Sequence, residues 1–449
     1  MPVTDTTSCC DGTSLSLDAA LSAAGVGAFQ LRLLALFGLV WAADAMQVLA
    51  IGFAAPSIAG EFGLPVAQAV QGGTAFFLGM LIGAWGFGRL ADRFGRRRVL
   101  IGTVLMDALF GLLSAAAPNF SLLLGLRFLV GAAVGGTLPV DYAMMAEFLP
   151  AASRGRWLVG LESFWALGTL ALALASALAA GLAPAMAWRW IFAAAALPAL
   201  IGLWFRPWIP ESPAYLARTG RPVQALDVLD RVALANGRGR LPSSVRVEQA
   251  QSPAGPATVF TGDLRRPSLL ILAVWLLVSV SYYGVFVWLP SQLASLGHGF
   301  LRGQGFLVLL ALAQLPGYAL AAFGVERWGR RATLIAFLSL GAISCALFVA
   351  ASSPLLLAAA LLLMSFAFLG AWGALYAFTP EIFPTRLRAT GMGLAGAMAR
   401  LGGLLAPSAL AAVVLVSFGA AIALFAVLLA LAALATYAIN LETRGVPLS

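Results

Sequence analysis

Lysine is missing altogether: all 27 basic side chains among the 449 residues are arginines. Without a lysine no Walker loop can grip the phosphates of a nucleotide, so an ATP-driven machine of that kind is excluded. Histidine occurs once, as His298 in a predicted connecting loop, where it reads as a solvated side chain. Cysteine occurs three times: Cys9 and Cys10 adjoin in the polar N-terminal tail, and Cys345 lies in an apolar run. That set spells neither a metal centre nor a disulfide framework. Charge is the scarcest property, at 10% of residues against 61% hydrophobic ones. Together with a mean hydropathy of +0.95, this leaves too little polar surface for a water-soluble fold, and lipid must be the main solvent.

A helix crosses roughly 30 Å of hydrocarbon with about 20 mostly apolar residues. The apolar runs here are continuous and rich in Leu, Ala and Gly, without the period-two alternation of a barrel strand. They predict helices at 30–57, 68–90, 98–117, 120–147, 157–180 and 187–208. Beyond a polar stretch rich in Pro and Arg, six more are predicted at 268–291, 304–326, 332–351, 354–379, 388–413 and 417–439. The expected fold is an all-α membrane protein of twelve transmembrane helices in two pseudo-symmetric six-helix bundles, 30–208 and 268–439. A segment 1–29, a linker loop 209–267 and a tail 440–449 complete the chain.

The net charge of +9 takes its meaning from where the arginines fall. Twenty-two lie in segments assigned to one side of the membrane, Arg189 and Arg302 on the other, and Arg32, Arg127 and Arg400 within or at the edge of helices. This bias predicts that both termini and the linker are cytoplasmic, and it accounts for the basic charge without a nucleic-acid partner. The first 27 residues lack a basic start, an apolar core and a small-residue cleavage site, so no removable signal peptide is expected.

The two halves repeat one another. GRLADRFGRRRVL at 88–100 aligns with AFGVERWGRRATL at 322–334, placing Asp92 on Glu326 at an offset of 326 − 92 = 234. The same offset carries Arg96 onto Arg330, Tyr142 onto Tyr376, Glu147 onto Glu381 and Arg154 onto Arg388. One register over this many polar positions indicates duplication.

The run at 88–100 closely resembles the loop between helices 2 and 3 of the major facilitator superfamily. RFLVGAAVGGTLPVDYAMMAEFLPAASRGR at 127–156, PESPAYL at 210–216 and TPEIFPTRLRATGMG at 379–393 resemble its sugar-porter branch. FQLRLLALFGLVWAADAMQV at 29–48, with LPVDY at 138–142, looks most like the bacterial niacin and aromatic-acid carriers related to synaptic vesicle glycoprotein 2. The resemblance implies a monomeric secondary transporter of a bacterial inner membrane, powered by the proton gradient and needing no cofactor. It implies symport of protons with a small organic acid, nicotinate or a similar aromatic carboxylate. Sugar porters carry a Gln-Gln pair and an Asn in helix 7, whereas this chain has VWLLVSVSYYGVFVWLP at 274–290, which disfavours hexoses. Efflux of drugs or organic cations and a non-transporting sensor are the remaining readings. No nucleophile, base and orienting group come together to suggest an enzyme.

Charges inside hydrocarbon are costly and are kept mainly where they face a cavity or a partner. In proton-coupled sugar porters a helix 1 aspartate and the arginine opening the helix 4 motif form the proton switch, and Asp44 and Arg127 match them by position. Ionised Asp44 would hold Arg127, and its protonation would free Arg127 for another anion. The alternatives are a static pair, or an Arg127 that binds the substrate carboxylate. Asp141 lies fourteen residues, about 21 Å, beyond Arg127. It reads as a second titrating site, a gate, or a local structural bond. Asp107 and Glu162 read as helix-end or backbone-contacting residues.

Arg400 is a candidate for the substrate carboxylate or for a pairing across the bundle. Trp165, Tyr282, Tyr283, Trp288, Tyr318, Trp372 and Tyr376, with Gln314, are candidates for a slot that takes a planar ring. At the cytoplasmic face, Asp92 and Arg96 with Glu326 and Arg330, and the pairs Glu147 with Arg154 and Glu381 with Arg388, are expected either to latch an inner gate or only to orient the protein in the membrane. GAAVGG at 131–136 lies within a predicted span, where close helix packing outweighs phosphate binding.

Overall fold

The computed structural model describes residues 14–15, 17–204, 208–241, 246–247, 259–295, 303–408 and 411–443. Asp92 keeps its backbone but its side chain is outside that description, as are His298, Arg302, Cys9 and Cys10. The first half comprises α1 (Ala28–Phe62), α2 (Gln71–Phe94), α3 (Arg96–Ala115), α4 (Phe120–Glu147), α5 (Ala151–Leu182) and α6 (Ala187–Trp204). The second comprises α7 (Arg265–Ser295), α8 (Gln304–Arg327), α9 (Arg330–Ala350), α10 (Pro354–Ile382), α11 (Thr385–Ser408) and α12 (Phe418–Ile439). Among the described residues, strand pairing is confined to Ser14–Leu15 against Arg246–Val247.

Local signals set the helix ends. Asn119 accepts from Leu122 N (2.9 Å) to cap α4, and Ser353 and Ser417 cap α10 and α12 in the same way. Gly95 and Gly329 both stand at φ = 100°, a conformation that side-chain-bearing residues rarely adopt. They are the matched turns into α3 and α9.

Eleven of the twelve helices are long and apolar enough to span a bilayer. The exception, α11, carries Arg386, Arg388 and Arg400 and five glycines. Its polarity is tolerated because α11 packs inside the bundle against α2, α7 and α10 rather than facing lipid over its whole length. Outward faces present Trp85, Leu178, Leu182, Trp190 and Leu434, an apolar surface that only hydrocarbon would solvate.

The GAAVGG run performs the packing role expected of it. A Cβ on Gly131 or Gly135 would collide with the Phe76 or Met80 carbonyl of α2, so these glycines let α2 and α4 lie backbone to backbone. The halves meet along α1 with α7, α2 with α11, and α5 with α8 and α10. The linker loop is partly ordered: helices Pro213–Arg218 and Pro222–Ala235 lie within it, and a short helix, Leu17–Ala24, docks on the second.

Candidate functional site

Two matched clasps form on the face that carries the termini. Arg96 and Glu147 make an ion pair at 3.0 Å, and their counterparts Arg330 and Glu381 make another at 3.0 Å. In the first half Glu211 accepts from the backbone N of Arg96 and Arg97, both at 3.1 Å. In the second, Glu442 accepts from Arg330 N at 2.9 Å. Next to each of these acids a hydroxyl donates to the paired carboxylate, Ser212 to Glu147 and Thr443 to Glu381. A carboxylate at a helix N-terminus satisfies free N–H groups and the positive dipole end together.

This differs from the expected pairing in its partners. The described ion pairs of Glu147 and Glu381 go to the arginines that open α3 and α9, because those helix starts lie directly against the ends of α4 and α10. Arg154 and Arg388 feel the same carboxylates electrostatically. Arg154 instead makes a 3.8 Å ion pair with Asp18 and donates to Leu149 O, while Arg388 Nε donates to Pro380 O at 2.9 Å. Glu326 lies exposed, one turn from Arg330, and Asp92 falls outside the described side chains.

In the interior, the expected partnership of Asp44 and Arg127 is not what the structure brings together. Arg127 donates to the Gln47 side-chain oxygen at 2.7 Å and to the Gln47 carbonyl at 2.6 Å. Its guanidinium lies 4.8 Å from the Phe76 ring centroid and 4.7 Å from that of Phe192. Asp107 is in electrostatic contact with Arg127 and Gln47, so it touches side chains rather than a helix end. The displacement has a simple cause: Gln47 is one helical turn along α1 from Asp44, and that turn, not Asp44, is level with Arg127.

Asp44 faces Arg400 across the seam between the halves, with Asp107 and Asp141 also in electrostatic reach. It is 1% exposed, and its Oδ2 has no hydrogen-bond partner among the described residues. Arg400 donates to the Gly396 carbonyl of its own helix at 2.7 Å, while its Nε is unpartnered among the described residues. Asp141 and Glu162 lie together and fully buried near Trp41.

Aromatic rings wall this seam. Tyr376 stacks near Trp41 (6.3 Å between centroids), Tyr142 (5.8 Å), Trp275 (4.8 Å) and Trp372 (5.9 Å). Trp165 of the first half donates to the Tyr282 hydroxyl of the second at 2.9 Å, and Tyr283 lies 4.7 Å from Phe77. Tyr283 and Tyr376 are both in electrostatic contact with Arg400. Tyr318 is buried beside Gly373, in reach of Tyr282 and Tyr376. Trp288 is buried further along α7, outside this ring group. Gln314 lines a cavity of about 20 Å³, enough for one water, between α1, α5, α7 and α8. Neither of its amide atoms has a partner among the described residues.

Sequence reasoning missed Gln47, Trp41, Trp275 and the Glu-Ser and Glu-Thr pairs. The last had a signal: 442 − 211 = 231, so a self-alignment allowing a three-residue gap would have matched Glu211-Ser212 with Glu442-Thr443. Gln47 and the two tryptophans gave none, as nothing in composition separates them from core residues.

The chain matches the family model described as sugar (and other) transporter over residues 67–449. It is 38% identical to the niacin transporter NiaP of Acinetobacter baylyi, over 85% of this chain and 87% of that one. It is 35% identical to the putative niacin/nicotinamide transporter NiaP of Bacillus subtilis, covering 92% and 97%, and 32% identical to the synaptic vesicle 2-related protein of Bos taurus, covering 95% and 81%. A partially occluded inward-open structure of the xylose transporter XylE from E. coli superposes with a TM-score of 0.76, covering 94% of this chain and 100% of that one at 19% identity, which establishes a shared fold. With the twelve-helix repeat and the matched clasps, these likenesses make the chain a multi-pass membrane transporter, and it belongs to the sugar (and other) transporter family of the major facilitator superfamily.

Proposed function

We propose that this chain carries nicotinate or a similar aromatic carboxylate together with protons across a bacterial inner membrane, by alternating access at the seam between its halves, with both termini in the cytoplasm. The observation that carries this reading is Arg400, a buried guanidinium set among aromatic rings and opposite one acid, Asp44. A guanidinium offers a carboxylate two parallel N–H donors, and flanking rings offer a planar heterocycle its stacking partners. The coupling follows from competition. While Asp44 is ionised it engages Arg400, and once protonated it releases Arg400 to the incoming carboxylate. Substrate and proton therefore enter the closed state together. The NiaP relatives support the choice of nicotinate over other acids, and the scarcity of amide side chains on α7 speaks against sugars. Arginine at the seam also disfavours a cationic cargo.

The test is uptake of labelled nicotinate into proteoliposomes under an inward proton gradient, with benzoate, nicotinamide and xylose as competitors. Accumulation that collapses with the gradient and is blocked by aromatic carboxylates is expected. Binding without accumulation would make the protein a sensor, and inhibition by xylose alone would overturn the substrate class.

A further inference from the structure

The cluster around Arg127 has no role in that scheme, although it buries a guanidinium and a carboxyl group together. Arg127 is 0% exposed and Asp107 2% exposed. The guanidinium is held on α1 by the two hydrogen bonds it donates to Gln47 and is flanked by Phe76 of α2 and Phe192 of α6, so it cannot turn toward the seam without losing both. Gly111, one turn after Asp107 on α3, lies directly under the Gln47 amide, with a Cβ there falling 2.6 Å from Nε2. Asp107, Gln47 and Arg127 are thus one packed unit of α3, α1 and α4.

Within this unit the carboxylate is incompletely satisfied: Asp107 Oδ1 has no hydrogen-bond partner among the described residues, and neither does Arg127 Nε. Two opposing effects act on an incompletely bonded buried carboxylate beside a fixed guanidinium. Ionised, it gains the attraction of Arg127; protonated, it escapes the desolvation penalty. Asp107 stands eight residues from the far end of α3 and Arg127 seven from the start of α4. Asp44 is at the middle of α1, one turn from Gln47 and in electrostatic contact with Asp107. The other charges nearby are Glu61 and Arg189, which bond each other at 2.6 Å at the mouth of the bundle, with Arg189 also donating to Ala115 O at the end of α3. The elements packed on Asp107 thus supply Arg127 from α4, Asp44 from α1 and Arg189 from α6, and no charged residue within the membrane from α2.

We propose that the coupling proton is first taken up at Asp107, against Arg127 and Gln47, and passes from there to Asp44. The proton binds a free carboxylate oxygen of Asp107 and is later accepted by the Asp44 carboxylate, which leaves Asp107 ionised again beside Arg127. Arg127 keeps its charge throughout and acts as a positioning residue. This rests on the proton-coupled reading above, and its test is chosen to fail separately from it.

Infrared difference spectra of the purified full chain between acid and neutral pH report protonated carboxyls without any substrate. The D107N variant is expected to lose a carboxylic C=O band that D44N retains. In proteoliposomes D107N is expected to lose uphill nicotinate accumulation, its inside-to-outside ratio falling to about one, while equal-pH exchange stays within about twofold of the unaltered protein. D44N, which mimics the protonated acid and leaves Arg400 free, is expected to lose accumulation and keep exchange. D107E should keep the band at a displaced pH midpoint and recover accumulation. An unchanged carboxyl spectrum in D107N, or accumulation equal to that of the unaltered protein, overturns the proposal. If D107N does not fold, D107E with an undisplaced midpoint overturns it equally. Absence of nicotinate uptake by the unaltered protein would sink the substrate reading alone, and the infrared comparison would still decide the proton site.

Discussion

The two halves agree at the rim that carries the termini and disagree in their interior. At the rim, Gly95, Arg96, Glu147 and Glu211 have Gly329, Arg330, Glu381 and Glu442 as structural equivalents, making the same bonds to within about 0.2 Å. In the interior, Asp44, Asp107, Arg127, Asp141 and Glu162 fall at the 234 offset on Val278, Gly341, Leu361, Leu375 and Gly396. Conversely, Arg400 falls on Ala166, since 400 − 234 = 166. Duplication supplied two of everything, so a feature kept twice serves something both halves must do, and a feature kept once serves something only one needs. Rocking requires a latch on each bundle. Binding an anion and a proton requires opposite charges on opposite sides of one seam.

That contrast is sharpest at Arg400. Replacing it by Gln removes a charged hydrogen-bonding group worth about 1.5–3 kcal/mol, and should weaken nicotinate binding roughly 10- to 150-fold. Equilibrium binding to purified protein would show it. An R400Q protein that binds normally would mean that the buried Arg400 of the second half is structural and the division of labour is false.

Next in size is the contact where the halves touch directly. A Cβ on Gly52 of α1 would fall 2.5 Å from the Val287 carbonyl of α7, and the repeat counterpart of Gly52 is Phe286, since 52 + 234 = 286. The small residue on one side makes room for the backbone of the other. G52V should cost the closed seam about 1–3 kcal/mol and hold the halves apart on the side opposite the termini. Cysteine labelling from that side should rise and transport should fall by about tenfold or more. Normal transport with unchanged labelling would show that the seam opens by some other route.

Much of the fold was legible because lipid imposes simple rules. Continuous apolar runs gave the helices, and α12 begins within one residue of its expected start. Even α11, with three arginines and five glycines, was expected as a helix, at 388–413 against the observed Thr385–Ser408. The site was only partly legible, and for one reason. Sequence identifies which residues are expensive to bury, so Asp44, Arg127, Asp141 and Arg400 could be named. It does not fix the depth of one helix against another, and a single turn of α1 decides whether Asp44 or Gln47 meets Arg127. The clasps show the same limit: charges four or seven residues apart looked paired, while the structure pairs Glu147 with Arg96, 147 − 96 = 51 residues away along the chain.

Smaller effects test the likeness of the rim. E147Q and E381Q each remove one 3.0 Å ion pair whose side chains are about one-fifth exposed. Each should cost the latched state about 1 kcal/mol, or roughly a fivefold shift toward opening at the face that carries the termini. Cysteine accessibility from that face should rise equally in the two variants, and a departure of the double variant from additivity would measure the coupling of the clasps through Arg154 and Arg388. A large effect in one and none in the other would show that only one bundle is latched.

The finest comparison lies between the two hydroxyls. Ser212 donates to Glu147 and also accepts from Tyr215 N at 3.1 Å, capping the helix Pro213–Arg218. Thr443 donates to Glu381 at 2.5 Å and caps no helix among the described residues. The first hydroxyl therefore does two jobs and the second one. T443A should lose a single hydrogen bond, about 1 kcal/mol, whereas S212A should lose that and an N-cap of similar worth. Thermal unfolding in detergent should place S212A below T443A. Equal melting temperatures would mean that the helix in the linker adds nothing to the first clasp, and that the two halves are alike at the rim even in this last detail.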